Sequence, residues 1–344
     1  MTSTRTIRSL LFAAVAGATL HAPSASAQDK LIGVVAIDLQ SSFFVRMKEA
    51  GDKAAKDYGV TTTWQSAEGS LEKQVSLIEN LISQHASAIL VDPLDKNALI
   101  PVLKKAEAAG VNVITMGNKV MADGNYSTLY PDAADAAATA RALGIAIGGK
   151  GEIAMLIGAR GNYVSDTREK GFSDALAKDF PDVKVVSIQP AGWDPTKGAD
   201  IAQTWMTTYP DLKGIWSMSD TQLLGASSVA DAAGKKLKLA GFDGDAEMAP
   251  LFDNGSMVID VLTGAYRVGY WNIAVAARLA KGETLPKDLY MPTYFVATDA
   301  MAATLDKGAH PIATITPAKE ATVAGDYSNE FGPSKQASAI TVAP

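Results

Sequence analysis

"MKEAGDKAAKDYGVTTTW", Met47 to Trp64, and "REKGFSDALAKDFPDVKVV", Arg168 to Val186, share one pattern. Each begins with a basic–acidic pair and reaches a glycine, Gly51 or Gly171. A helical stretch then ends at an aromatic residue and a breaker, Tyr58-Gly59 or Phe180-Pro181, and a β-prone run follows. A helix-then-strand unit found once in each half of the chain predicts two similar α/β lobes. One long sheet is the alternative that this repeat leaves open.

The same alternation extends outward from both copies. Strand candidates in the first half are Leu31–Ile37, Thr61–Gln65, Ala88–Val91 and Val113–Met116. In the second half they are Glu152–Ile157, Lys184–Gln189, Gly214–Ser217, Lys238–Phe242 and Met257–Leu262. Helix-length segments separate most neighbours; Phe44, Met47, Gly51, Ala54, Ala55 and Tyr58 keep one helical stripe. Strands alternating with helices predict parallel sheets covered by helices on both faces.

The 344-residue chain is long enough for two domains, and its 47% hydrophobic and 20% charged residues are those of a globular protein. A net charge of −6 argues against nucleic acid, which needs a basic surface. Residues 1–27 read as a secretory signal: Arg5 and Arg8, then the apolar run Leu10 to Leu20, then "ASA" at Ala25 to Ala27. The apolar run is too short to span a bilayer. The expected mature chain starts near Gln28 and resides in a bacterial periplasm. With no cysteine it is held by its core alone and carries no lipidated thiol. Residues 310–344 lose periodicity and read as a tail lying over the surface or partly disordered.

Catalytic constellations are scarce. After the signal, His85 and His310 are the remaining histidines, which with no cysteine excludes thiol chemistry and argues against a Ser-His-Asp triad. "GIAIGGKG", Gly144 to Gly151, resembles a phosphate loop, but Gly151 stands where Ser or Thr would hold magnesium and the motif closes a helix. "DGDAE", Asp243 to Glu247, fails as a calcium loop because Met248 replaces the turn glycine. No catalytic residue, metal or cofactor is expected.

What recurs is a cluster of polar and aromatic residues just after each strand: Asp38, Ser41, Phe43 and Phe44; Asp92; Gly117, Asn118 and Lys119. The second half continues with "GARGNYVSDTREKGF", "PAGWDPTKG", "SMSDTQ" and "GFDGD". Ligands of open α/β sheets bind beyond the carboxyl ends of strands, so these loops are expected to converge on one cleft. Their chemistry suits a small polyhydroxy ligand. Carboxylates accept pairs of hydroxyl hydrogen bonds, and aromatic rings pack on C–H faces. Phe43, Phe44 and Trp193 would form apolar walls; Asp92, Ser219, Asp220 and Asp243 would hold hydroxyls. The Phe pair could instead pack the first turn of the helix on the sheet, and Asp220 could instead be a helix N-cap.

These segments, with "SSFFVRMKEAG", "ILVDPLDKNAL", "AGVNVITM", "SDTQLLGA" and "AGFDGD", resemble the ribose-type periplasmic solute-binding proteins of ABC transporters, over roughly Leu31 to Val296. The resemblance implies the type I periplasmic binding protein fold: two Rossmann-like lobes joined by a three-strand hinge. The crossings are expected near Leu129–Pro131, Leu262–Ala265 and Pro292–Ala297. It implies an N-terminal lobe of residues 28–130 plus 264–296 and a C-terminal lobe of 131–263 plus 297–309. It implies a monomer that captures a small sugar or polyol by hinge closure and delivers it to an inner-membrane permease. Ligand contacts carried over fall at Ser41, Phe43, Phe44, Asp92, Trp193, Ser219, Asp243 and Thr263.

The chain also departs from that pattern. Gly117-Asn118 replaces an Asp-Arg pair, and Asp166 stands in place of a second ligand-binding Arg, so Asn118 and Asp166 complete the candidate site. Arg168 keeps a structural place. Asp92 and Ser219 each replace an Asn. Buried carboxylates need balance, for which Lys119, Arg160 and Arg267 are candidates; otherwise the ligand supplies hydrogen-bond donors or a cation. Ribose itself fits poorly; another pentose, a short polyol or an amine-bearing relative fits better.

Three further readings remain in view. A ligand carrier for a chemoreceptor would use the same closure. A related transcription regulator would need a DNA-binding module where the signal stands. A hydrolase using Asp92 and Asp243 lacks an evident activated acid.

Overall fold

The computed structural model describes residue 1 and residues 30–291, 293–305, 315–317 and 341–342. The signal segment and most of the C-terminal tail lie outside the described residues.

The strands are β1 (Leu31–Ala36), β2 (Thr61–Ser66), β3 (Ala88–Val91), β4 (Asn112–Thr115), β5 (Tyr126–Leu129), β6 (Gly151–Ile157), β7 (Val183–Pro190), β8 (Leu212–Ser217), β9 (Lys238–Phe242), β10 (Met257–Leu262), β11 (Asp288–Tyr290), β12 (Tyr294–Ala297), β13 (Ile315–Pro317) and β14 (Thr341–Val342). The helices are α1 (Ser42–Tyr58), α2 (Leu71–Ser83), α3 (Ile100–Ala108), α4 (Asp132–Ala146), α5 (Tyr163–Asp179), α6 (Pro195–Thr208), α7 (Asp220–Ala232), α8 (Ala249–Asp253), α9 (Ala265–Ala280) and α10 (Asp299–Leu305).

Two sheets form, in the orders β14-β11-β5-β4-β3-β1-β2 and β13-β12-β10-β9-β8-β6-β7. The expected pair of doubly wound lobes is therefore present. Each is built on the order 2-1-3-4-5, with parallel pairing throughout that part. Side chains alternate across each strand. In β1, Ile32, Val34 and Ala36 enter the cluster that includes Trp271 and Ile273 of α9, while Val35 enters the opposite cluster with Ile78 and Leu81 of α2. A strand apolar on both faces is what two helical layers require. Each fully buried Val, Leu or Ile of this kind contributes roughly 1.5–3 kcal/mol.

The repeat that opened the sequence reading places the helix ends. α1 stops at Tyr58 because Gly59 takes a left-handed conformation, φ 63°, and its N–H closes back on Ala55 and Lys56. α5 stops at Asp179, just before Phe180-Pro181.

The chain passes between the sheets after β5, after β10 and between β11 and β12. β11 lies beside β5 in one sheet and β12 beside β10 in the other, so the passages run side by side. β12 pairs antiparallel with β10, Leu262 opposite Tyr294, which puts Tyr294–Val296 in the second sheet. The expected lobe boundary at 296/297 is therefore three residues late: the backbone hydrogen bonds of this strand go to β10. Two short pieces of the tail, β13 and β14, extend the two sheets at their edges. Edge pairing uses main-chain groups and needs no side-chain period.

Candidate functional site

Strand order fixes where the cleft opens. In each lobe the order reverses beside the first strand, between β1 and β3 and between β6 and β8, and the loops there diverge. A cleft of about 710 Å³, open solvent at its mouth included, lies between the lobes. It is lined from nine strand ends.

The first lobe contributes Ser41, Phe43 and Phe44 after β1, Asp92 after β3 and Asn118 after β4. The second contributes Trp193 after β7, Ser219 after β8, Asp243 after β9 and Thr263 after β10. Nine of the ten expected residues thus meet in one space. Phe44 is buried in the first-lobe core and Phe43 packs at its edge, and both also line the cleft. Their rings meet edge to face, centroids 5.6 Å apart.

Trp193 faces them and packs against core clusters of both lobes. It adopts φ 59°, and Asp243 adopts φ 115°. Such left-handed backbone is costly for residues with a Cβ, and it concentrates where a side chain must be aimed. Gly158 makes room for the indole: a Cβ there would fall 2.4 Å from Trp193 Cζ2.

Asp166 is not in the cleft. Val164 and Arg168 of α5 line it, four residues apart on one helical face. Asp166 lies about half a turn away and turns to Lys96 of the first lobe, at 2.6 Å. Asp220 also lies outside the lining. It is fully buried, and its Oδ2 accepts the Asp245 N–H at 2.9 Å.

Arg168, read as structural, does more than that. Its Nε donates to Asp132 Oδ1 at 2.7 Å and its Nη1 to the Met218 carbonyl at 2.8 Å, with Asp243 Oδ1 3.7 Å away. The guanidinium lies 4.2 Å above the Phe242 ring. Burial opposes its charge, but Asp132 and Asp243 outweigh that and raise its pKa. Each of the three cations expected to balance the cleft has partners of its own. Lys119 pairs with Asp288 at 2.6 Å, Arg160 with Glu169, and Arg267 donates to the carbonyls of Leu262 and Thr263.

Burial pushes the Asp92 carboxyl up to about 7; a hydrogen bond from Asn118 opposes this, and the charges of Asp38 and Asp243 add to it. Burial likewise pushes Asp243 to about 7, against the pull of Arg168. Asn118 joins the loops after β3 and β4, with Nδ2 3.2 Å from Asp92 Oδ1 and 3.3 Å from the Pro93 carbonyl. Sequence reading missed Tyr130, Met116 and Met218, which also line the cleft. Their signal was available: each is the first or second residue after a strand.

The lobes touch on either side of the cleft. Arg46 of α1 reaches Asp245 at 3.1 Å and Glu247 at 2.9 Å. The Lys96 N–H donates to the Gly161 carbonyl at 3.0 Å, and Asn162 Nδ2 donates to the Pro93 carbonyl at 2.8 Å. Among the described residues no cluster of His, Cys, Asp and Glu is arranged to hold a metal.

Known proteins resemble the chain along most of this architecture. It is 29% identical over 270 residues to the xylitol-binding protein of Mycolicibacterium smegmatis, covering 77% of this chain and 76% of that one. It is 28% identical over 274 residues to the ribose import binding protein of Bacillus subtilis, covering 78% and 88%. A solute-binding protein of an ABC transporter from Mycobacterium smegmatis, solved with glycerol, superposes with a TM-score of 0.75 at 26% identity, covering 83% of this chain and 100% of that one. One from Actinobacillus succinogenes, solved with D-allose, gives 0.71 at 25%, covering 78% and 97%. A family profile described as periplasmic binding protein domain matches residues 32–284, and the chain belongs to that family.

Proposed function

We propose that this protein is the periplasmic receptor of an ABC importer, which captures a small sugar or polyol between its lobes and presents the closed form to a membrane permease. The observation that carries this reading is the facing of Phe43 and Phe44 by Trp193 across a cleft that also holds Asp92, Asp243, Asn118, Ser219 and Thr263. Rings on opposite lobes can sandwich the C–H faces of a polyhydroxy ligand while carboxylates and amides bind its hydroxyls. A ligand touching both lobes gains contacts only when they close, so it shifts the population toward closure. No bond is made or broken. The relatives named for xylitol and ribose, and the neighbours holding glycerol and D-allose, support this ligand class.

Tryptophan fluorescence titrated with a panel of pentoses, hexoses and polyols tests the reading, with Trp193→Phe as the control. The expected result is a saturable change with at least one of them that is lost in the variant. Silence across the panel, with the protein folded, would count against a carbohydrate receptor.

A further inference from the structure

The carboxylates of the cleft are unequally provided for. Asp38 Oδ1 accepts the N–H groups of Gln40 and Ser41, at 2.7 and 2.9 Å, just before α1, whose N-terminal partial charge favours an anion. Asp243 faces Arg168 at 3.7 Å, but Asp132 already holds that guanidinium at 2.7 Å. Among the described residues, the Asp92 carboxylate has the Asn118 amide as its hydrogen-bond donor, at 3.2 Å from Oδ1. No helix begins at Asp92; the next, α3, starts at Ile100. Lys96, Lys119 and Arg160 are paired with Asp166, Asp288 and Glu169. Arg168 thus has its one charge divided among Asp92, Asp132 and Asp243. Asp92 is part-buried; closure would take its carboxylate further from water, which is costly without a partner, so the balance would come from a bound proton or from the ligand. The same cleft is walled by Phe43, Phe44 and Trp193, and aromatic faces attract cations.

We propose that the ligand carries a protonated amine on its polyhydroxy frame, as an amino-polyol or amino sugar does, and that its ammonium group binds Asp92 between the aromatic walls. The proposal rests on the receptor reading above and narrows its ligand class. A neutral polyol offers Asp92 hydroxyl donors but no charge. An ammonium offers both, and charge-assisted hydrogen bonds are roughly twice as strong as neutral ones.

Titration calorimetry near neutral pH with matched pairs tests it: glucitol against glucamine, xylitol against its terminal amine, and galactose against galactosamine. The expected result is that the amine of at least one pair binds about tenfold or more tightly than its alcohol. Asp92→Asn, which keeps an acceptor for Asn118, should bring that ratio toward one. Added salt should shrink the amine's advantage in the unaltered protein, which gives a second readout should the variant fold poorly. An alcohol binding as tightly as its amine in every pair that responds overturns the inference and leaves the receptor reading standing. Silence from all alcohols and all amines overturns both.

Discussion

Arg46 and Asp245, 199 positions apart in sequence, meet at 3.1 Å across the two lobes. Asp245 is almost wholly buried, its side chain 3% exposed, and lies against Asp220 and Glu247 on its own side. The first lobe thus supplies the cation for a carboxylate that its own lobe surrounds with negative charge.

Removing that cation should weaken closure without touching the cleft. Arg46→Gln is expected to lower affinity for the cognate ligand about tenfold, since losing one partner of a buried charge pair leaves the other exposed to its desolvation cost. Calorimetric affinity of variant and parent gives the comparison; equal values would mean that the pair is incidental to closure.

On the other rim, Lys96 and Asp166 are each about a third exposed, at 31% and 30%, so their pair should be modest and salt-sensitive. Lys96→Glu and Asp166→Lys should each reduce ligand affinity a few-fold, and the double reversal should recover part of the loss. A double variant no better than the sum of the singles would show that these two side chains are not coupled.

Arg168 should matter for folding far more than Arg160. Arg168→Ala strands Asp132 inside the second lobe, takes the nearby guanidinium from Asp243 at the cleft, and should cost about 3–5 kcal/mol. Arg160→Ala breaks an exposed pair, its side chain 56% exposed, and should cost no more than about 1 kcal/mol. Urea unfolding of both variants reads the contrast, and similar losses in the two would contradict it.

Wholly and partly buried carboxyls set a pH dependence. Asp92, Asp135, Asp243, Asp245 and Asp260 are pushed from 3.8 to about 7, burial being the leading cause for each. A carboxyl whose pKa is higher folded than unfolded binds its proton more tightly when folded. Its stabilising contribution is fully present below about 4 and is lost as pH rises to about 7. The ligand-free protein should therefore melt at lower temperature as pH is raised from about 5 to about 8. A melting temperature that holds level or climbs over that range would refute the assignment.

How much of this was legible in the sequence depended on how local its cause is. β3, β9 and β10 were bounded to the residue because their apolar runs stop sharply. β5 and β11, "YSTL" and "DLY", carry no such run; they are strands because they pair with each other and β5 also with β4. The strand-end rule gathered the cleft, since it depends on topology alone. Asp166 rests on the family resemblance alone, and the helical phase of Val164 and Arg168 points it away from the cleft. The clasp between Arg46 and Asp245 leaves no local trace, because neither residue's neighbours in sequence announce the other.

Gly158 holds a last consequence. The lack of a side chain there is what lets the Trp193 indole approach the second lobe so closely. Any larger residue there would drive the ring inward and narrow the bore available to the guest. The gauge of this receptor is thus set from behind the wall, at a position outside the cleft lining.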